Sequence, residues 1–344
     1  MLTKYLTISY LKNLFFIFIA LLLFFVGLDY VLNVKNLPNS ANLQTLYIMY
    51  KSFYAADLLL PISIIFAMIA TKIQLIRSNE LVAIYSLGYS KKEVLKPLFF
   101  TSLFIVLLSI FLHTTPFSYA YQNAENIRKY GVISNSTTNL FFKYNDSYIF
   151  FKKLFPIQKK ANDIRIFEVS NQRLKKIIKA KEANFINNSW KIKNATIIEN
   201  LNQKIDIKKN QNLTLLKGFK PKILDSVYEG KTSFSIVDAL YAIKLLKEQK
   251  IDIKKIKAAL YAQIFYPLFA PFLVVIIFYF VPITQRVFSL TLFSFGAIIF
   301  TLFIWGLFFT LMRLSFVGVL APEISTILPI LLLAIIASIF YKKF

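Results

Sequence analysis

Charged side chains are missing from six long stretches of this chain, and this pattern limits the possible folds more than any other feature. Each stretch contains no Asp, Glu, Lys or Arg, and two of them extend for 28 residues. A helix that crosses the hydrocarbon core of a bilayer needs about 20 mostly apolar residues. The first two stretches reach that length when one terminal residue, Asp29 or Asp57, is included. The sequence therefore predicts six transmembrane helices, built on Leu14–Leu28, Leu58–Thr71, Pro97–Ala124, Ala258–Gln285, Val287–Met312 and Ile324–Tyr341.

The six stretches form two groups of three, and a long polar region lies between the groups. In this region, short segments alternate polar and apolar side chains and are separated by Asn, Asp, Ser and Gly. Such alternation is typical of antiparallel β-strands, and the regular spacing favours a sandwich, a jelly roll or an open barrel. The predicted strand segments are Leu140–Tyr144, Ser147–Lys152, Ile164–Val169, Trp190–Lys193 and Lys204–Lys208.

Helical patterns flank the predicted strands on both sides. The pattern over Tyr121–Gly131 continues the third span outward, and the amphipathic pattern over Ile236–Lys257 leads into the fourth span. The predicted fold class is a polytopic α-helical membrane protein with six transmembrane helices, three on each side of an inserted extracytoplasmic domain that resembles a β jelly roll. The predicted domains are residues 1–119 with the first three spans, residues 120–235 with the β domain, and residues 236–344 with the linker helix and the last three spans.

Basic residues in the short loops predict the orientation, because loops rich in Lys and Arg stay in the cytoplasm. One side of the predicted membrane carries ten basic loop residues and the other side carries three. We therefore expect both termini in the cytoplasm and the β domain on the far side. The ten are Lys4, Lys12, Lys72, Arg77, Lys91, Lys92, Lys96, Arg286, Lys342 and Lys343, and the three are Lys35, Lys51 and Arg313.

Composition excludes several kinds of chemistry. The chain has no Cys and a single His, so neither a catalytic site, a metal site nor a cofactor is expected. Gly230-Lys231-Thr232 resembles the end of a P-loop, but Asp225 occupies the position of the first required Gly. ATP hydrolysis is therefore expected in another chain. The net charge of +24 reflects either binding of an anionic lipid or a Lys-rich proteome, and no nucleic-acid partner is expected.

Three ionisable residues lie within or at the ends of the apolar stretches. His113, near the outer end of the third stretch, is either functional, as intramembrane ionisable residues often are, or a hydrogen-bonding residue that packs the helices. Asp29 and Asp57 lie near the outer ends of the first two spans, where a side chain can reach water. We expect a structural role for both carboxylates.

The cytoplasmic loop between the second and third spans contains the most informative short segment. Ser78 is a candidate N-cap, Glu80 and the apolar residues after it form the body of a short helix, and Gly88 is a candidate C-terminal stop. Such a helix is too short to anchor the protein in a membrane. Its apolar face and single carboxylate are typical of a segment that docks into a groove on a cytoplasmic partner.

This loop resembles the coupling-helix region of the lipopolysaccharide-export permease family, LptF/LptG, also called YjgP/YjgQ. The resemblance covers the whole chain and is closer to the G-type half than to the F-type half. The segments that carry it are Leu2–Leu6, Leu60-Pro61, Ser78–Gly88, Leu140–Lys152, Ile164–Lys193, Tyr241–Lys250 and Ile264–Leu268.

The resemblance implies a transport subunit that is not itself an enzyme. It implies an inner-membrane exporter in which a second homologous half and a cytoplasmic ATPase dimer complete the machine. Lipopolysaccharide, or lipooligosaccharide, would be extracted from the membrane by its lipid A part and passed to a periplasmic bridge protein of jelly-roll fold, in support of outer-membrane biogenesis. The alternative is a mechanotransmission subunit, which moves an extracytoplasmic domain without passing substrate through the membrane.

The resemblance also implies roles for particular residues. The G-type pattern places a Lys near the outer end of the first span, where this chain has Asp29, with Lys35 as the nearest downstream cation. The implied contacts are Arg77, Glu80, Leu81, Ile84 and Gly88 with the ATPase, Arg128, Lys129 and Lys35 with the glycolipid head group, and Phe24, Phe25, Phe300 and Phe303 with the substrate cavity or its gates.

Overall fold

The computed structural model describes residues 1–133, 137–144, 147–156, 158–170, 173–201, 204–221, 224, 233–248, 252–283 and 289–344. Six helices in these ranges are long and apolar enough to cross a membrane, three before the β-strands and three after them. The prediction of six spans in two groups of three is confirmed. Arg286, Asp225 and Gly230-Lys231-Thr232 lie outside the described residues. The spans are Leu2–Asn36, Ala41–Arg77, Lys91–Leu112, Lys254–Phe280, Leu290–Val317 and Glu323–Lys342.

The helices are numbered here in chain order, and some spans contain more than one helical segment. A 3-10 turn, Tyr266–Leu268, joins the two helices of the fourth span, and a π-helical segment, Glu323–Ile327, opens the sixth. The α-helices are α1 Leu2–Asn33, α2 Ala41–Arg77, α3 Glu80–Ser86, α4 Lys91–Leu112, α5 Ala120–Tyr130, α6 Ile236–Glu248, α7 Lys254–Ile264, α8 Phe269–Phe280, α9 Leu290–Val317 and α10 Leu328–Lys342.

The third span ends earlier than its apolar stretch. α4 stops at Leu112, although uncharged residues continue to Ala124. Pro116 has no N–H to donate and disfavours a helical conformation in the residue before it. A 3-10 turn, Pro116–Tyr119, therefore separates α4 from α5. The helix predicted up to Gly131 is present, but it is a separate helix and not an extension of the span.

The six strands form one antiparallel sheet in which each strand pairs with its neighbours in sequence. Side chains alternate between the two faces, so that Leu140 and Phe142 in β1 are buried and Phe141 between them is exposed. The described strands make a meander without a Greek-key crossover. They are β1 Thr137–Tyr144, β2 Ser147–Phe155, β3 Lys160–Ser170, β4 Arg173–Ile186, β5 Ser189–Leu201 and β6 Lys204–Leu215.

The sheet curls around an apolar interior. Strands β2 and β5 are three strand spacings apart, which would be about 14 Å in a flat sheet. However, the ring centroids of Phe151 on β2 and Trp190 on β5 are 5.2 Å apart. Phe142 on β1 stacks at 5.8 Å on Phe219, which follows β6. The two ends of the meander thus meet around one apolar core, so the described strands form a curled meander and not the Greek keys of a jelly roll.

Two helical segments, here called stalks, connect the β domain to the membrane part and bind each other. The first is the turn before α5 together with α5, and the second is α6. The backbone N–H of Ile236 donates to the carbonyl oxygen of His113 at 2.9 Å. The Tyr119 hydroxyl donates to the Asp238 carboxylate at 2.6 Å, and burial together with this bond raises the pKa of Tyr119. The amphipathic linker predicted over Ile236–Lys257 is divided between α6 and α7. The chain leaves and re-enters the membrane part at one place.

Burial divides the spans into central and peripheral ones. In the most apolar window of each span, 67% of the residues of the fourth span and 50% of those of the second are buried, against 11% in the first and fifth spans. The second and fourth spans therefore form the centre of the bundle. The first and fifth spans leave most of their apolar surface for lipid or for another protein chain.

Candidate functional site

The short helix α3 lies between the second and third spans, as the sequence predicts. Its N-terminus differs from the prediction, because Ser78 does not cap it. The Ser78 hydroxyl donates to the carbonyl oxygen of Gln74 at 3.0 Å, back into α2. The N-cap position is Asn79, which adopts the left-handed conformation at φ 58° and turns the chain sharply.

The chain leaves the helical conformation of α3 at Gly88, as predicted. Gly88 has φ +89°, a conformation that favours glycine. Its N–H donates to the carbonyl of Tyr85 at 3.0 Å, and the N–H of Tyr89 donates to that of Ile84 at 3.4 Å. These two bonds form a Schellman motif, which closes the helix after two turns. α3 therefore has a defined C-terminal end.

One face of α3 packs on the bundle and the other is open. Leu81 and Ile84 are buried in the same apolar cluster as the second, third and fourth spans. They pack α3 against the bundle, and their part in coupling to the ATPase stays a prediction. The open face offers Val82 and Leu87 to a partner, and Arg77 beside it is exposed.

Glu80 connects α3 to the first span. Its carboxylate accepts a short hydrogen bond from the hydroxyl of Tyr5 on α1. The pair lies in an exposed position, so Glu80 keeps lone pairs available for a second donor. The first span and α3 therefore meet at a carboxylate that can also bind a basic side chain from another chain.

Lys72 occupies a position that the sequence did not reveal. The orientation argument treats it as a loop residue, but it lies within α2 and is buried, and its ammonium donates to the carbonyl oxygens of Phe278 at 2.7 Å and Val281 at 3.1 Å. These carbonyls belong to the C-terminal end of α8, where backbone acceptors lack helical partners. Lys72 thus joins the second and fourth spans at their ends away from the β domain, here called the inner ends.

At the end of the first span that faces the β domain, here called its outer end, Asp29 is neutralised within the chain. Its carboxylate lies 2.7 Å from the ammonium of Lys51 and accepts a hydrogen bond from the Tyr47 hydroxyl at 2.5 Å. Both partners are on α2 and are largely buried. The structural role expected for Asp29 is consistent with this ion pair, which holds the first two spans together.

The predicted head-group residues collect near the same outer end but differ in availability. Arg128 donates to the Glu125 carboxylate at 2.6 Å and to the Asn33 amide oxygen at 3.2 Å. The bond to Glu125 raises the pKa of Arg128 and commits much of its guanidinium. Lys129 lies 3.6 Å from Glu125 with its side chain mostly exposed, and Lys35 is exposed as well.

The four predicted gate residues lie on the two peripheral spans. Phe24 is 67% exposed and Phe303 is 65% exposed. Phe300 is less exposed, and Phe25 is half-buried, with its ring centroid 6.4 Å from that of Tyr54. Phe24 and Phe303 therefore present the most open aromatic surface of the four.

A cavity of about 160 Å³, here called the outer cavity, lies at the ends of the spans that face the β domain. His113 Nε2 is 2.8 Å from Asp57 Oδ1, and its Nδ1 is 3.1 Å from the Ser118 hydroxyl. His113 and Asp57 thus form a pair that joins the second and third spans. Both groups of spans line the cavity, through Tyr54, Asp57, His113, Ser118, Tyr121, Gln263, Tyr266, Phe309, Arg313 and others.

The arrangement of the spans and the inserted antiparallel sheet agree with the fold of the family that the sequence matches. A model of the lipopolysaccharide export system permease LptF/LptG matches residues 4–343, which is nearly the entire chain. The chain belongs to the LptF/LptG family. A search of curated proteins gives no match. As an LptF/LptG member, the chain is a multi-pass permease subunit of lipopolysaccharide export, and its family works within a transport complex.

Proposed function

We propose that this LptF/LptG chain is one half, of the G type, of an ATP-driven exporter in the bacterial inner membrane. The exporter extracts lipopolysaccharide or lipooligosaccharide by its lipid A part and passes it through the β domain to a periplasmic bridge protein of jelly-roll fold. A second homologous half completes the cavity, and a cytoplasmic ATPase dimer acts on α3. Both termini lie in the cytoplasm and the β domain in the periplasm.

The observation that carries the proposal is the combination of the family match with two nearly uncovered spans. The first and fifth spans are the least buried, and both carry exposed aromatic side chains. A polytopic chain with two such spans has surface for a partner half and for acyl chains between the halves. The short helix α3, with Glu80 and an open apolar face, supplies a separate surface for a cytoplasmic partner.

Purification in mild detergent tests the proposal. We expect the chain to co-isolate with a cytoplasmic ATPase and a homologous permease half, and mass spectrometry to detect glycolipid in the complex. Recovery of the ATPase without glycolipid would favour the mechanotransmission alternative. Recovery of neither would contradict the proposal.

Among the head-group candidates, Lys129 and Lys35 are expected to matter because both side chains are exposed to lipid phosphate and Lys129 makes only a 3.6 Å contact with Glu125. We expect Lys129→Glu combined with Lys35→Glu to reduce crosslinking of lipopolysaccharide several-fold, since an attraction becomes a repulsion. The measurement is photo-crosslinking of glycolipid in membranes. Arg128 is left unchanged, because it donates to Glu125 at 2.6 Å and to Asn33 at 3.2 Å, and its reversal would remove this link between α5 and the first span.

The matched control is Lys175→Glu with Lys176→Glu on β4. Lys176 lies 3.5 Å from Glu199 on the β domain, away from the first span. Equal and mild effects of the two double variants would mean that Lys129 and Lys35 are ordinary interfacial residues.

The gate assignment predicts glycolipid contacts at Phe24 and Phe303. A photo-reactive amino acid at either position is expected to capture glycolipid, and capture is expected to fall when ATP turnover empties the cavity. The same group at Phe278, which is fully buried, serves as the control and is expected to capture no glycolipid. Capture of bulk phospholipid alone, unaffected by ATP, would show that Phe24 and Phe303 face the bilayer.

A further inference from the structure

The outer cavity has a polar lining that the transport model does not use. We propose that it binds an ethanolamine phosphate group, with the ammonium inside the cavity and the phosphate at its mouth beside Arg313. The proposal requires only that the cavity lies at the outer ends of the spans, and it does not depend on which lipid the complex exports.

The inner part of the cavity contains buried polar atoms that lack partners. Tyr266 is 8% exposed, and its hydroxyl has no hydrogen-bond partner among the described residues. The Gln263 amide nitrogen donates to the carbonyl of Phe234 at 2.5 Å, which fixes the amide and leaves its buried oxygen without a donor. Buried polar groups nearly always have hydrogen-bond partners, so two unpartnered oxygens that line one cavity indicate a ligand site.

The acceptors in the cavity suit a primary ammonium. Asp57 uses one carboxylate oxygen for His113 and retains further lone pairs. With the Gln263 and Tyr266 oxygens it provides three acceptors, which is the number of N–H donors on an ammonium group. Tyr54 and Tyr121 line the same cavity with their ring centroids 4.8 Å apart, and such rings attract cations through their faces.

The mouth of the cavity carries a cation suited to phosphate. Arg313 is exposed, and its guanidinium packs over the ring of Phe309 at 4.9 Å. It makes no ion pair with any carboxylate of the described ranges. A guanidinium binds phosphate through two parallel hydrogen bonds. The volume of about 160 Å³ is room for about five water molecules, which accommodates an ammonium and two methylene groups.

The arrangement of acceptors inside the cavity and Arg313 at its mouth discriminates between phospholipid head groups. A choline head carries a quaternary ammonium without N–H donors, and a glycerol head carries no cation for Asp57. Ethanolamine phosphate has the N–H donors that the cavity accepts, and two methylene groups separate its ammonium from its phosphate. It occurs in two sources that reach this depth, a phospholipid head group of the outer leaflet or a substituent on the exported glycolipid.

Native mass spectrometry of the delipidated full complex tests the proposal. The lipids added are phosphatidylethanolamine, phosphatidylcholine and phosphatidylglycerol, and in separate samples glycolipid with and without an ethanolamine phosphate substituent. We expect retention of phosphatidylethanolamine to exceed that of the other two phospholipids about tenfold, as a charge-assisted hydrogen bond allows. Preference for the substituted glycolipid alone would assign the cavity to the cargo.

Two variants test whether retention of phosphatidylethanolamine depends on the outer cavity. Asp57→Asn is expected to lower ethanolamine retention about tenfold, and Tyr266→Phe about fivefold, because the second variant removes only an unpartnered hydroxyl. The control is Ser315→Ala, which also removes a buried unpartnered hydroxyl but does not line the outer cavity. Equal retention of all three phospholipids, or an unchanged preference in Tyr266→Phe, would overturn the proposal and leave a cavity filled by water.

Discussion

Glu80→Ala is expected to weaken binding of the cytoplasmic ATPase by about 2–5 kcal/mol, which is roughly a 30- to 4,000-fold loss of affinity. The reason is that a basic side chain of the partner would remain buried without its carboxylate. We expect less ATPase in the purified complex, or ATP hydrolysis that no longer responds to lipid. Membrane insertion is expected to stay normal, since Glu80 lies outside the apolar core.

Tyr5→Phe separates the contact with a partner from the contact within the chain. It removes the hydrogen bond from the first span but leaves the Glu80 carboxylate in place. If Glu80 acts on the ATPase, Tyr5→Phe should retain most of the affinity. A loss as large in Tyr5→Phe as in Glu80→Ala would mean that Glu80 only orients α3 against α1.

Trp190→Ala is expected to destabilise the β domain by about 3–5 kcal/mol. The Trp190 side chain is fully buried, lies between Phe151 and Phe185, and donates its indole N–H to the carbonyl of Phe219 at 2.8 Å. Its loss opens a cavity at the point where the sheet curls and leaves the Phe219 carbonyl without its donor. Domain stabilities are about 5–15 kcal/mol, so a large part of the total would be lost.

Limited proteolysis of the complex in membranes at increasing temperature measures this effect. Cleavage within β1 to β6 is expected to begin at a lower temperature in Trp190→Ala than in the parent chain. Trp190→Phe should cost about 1 kcal/mol, because it removes the N–H but retains most of the ring. Ile207→Ala on the exposed face of β6 is the control and should stay within about 0.5 kcal/mol of the parent. Equal proteolysis of Trp190→Ala and Ile207→Ala would contradict the assigned core.

Local patterns in the sequence predict much of the fold. The absence of charge marks all six spans, because charged groups are excluded from the centre of a bilayer. Strand β4 is absent from the predicted segments, because Lys175-Lys176-Ile177-Ile178 interrupts the period-two alternation. The low helix propensity at Pro116 indicates that the third span ends before it, but counting uncharged residues takes no account of helix propensity.

The candidate sites depend on contacts between distant segments, and these are less visible. Asp57 and His113 are each predictable as ionisable residues at a span end, but their pairing follows from how the second and third spans pack. The burial of Lys72 follows from the position of the end of α8. A seven-residue helix does not by itself distinguish its two faces, so the sequence alone does not show that Leu81 and Ile84 pack on the bundle.

The contact of Lys72 with α8 gives the chain a mechanical linkage. Lys72 lies a few residues before α3, and the carbonyls it binds lie at the inner end of the fourth span. The outer end of that span begins at α7, where Gln263 is bonded to the backbone of Phe234 beside the returning stalk. We therefore expect a movement of α3 to reach the fourth span through Lys72, and the two helices of that span, joined at Tyr266–Leu268, to carry it toward the base of the β domain.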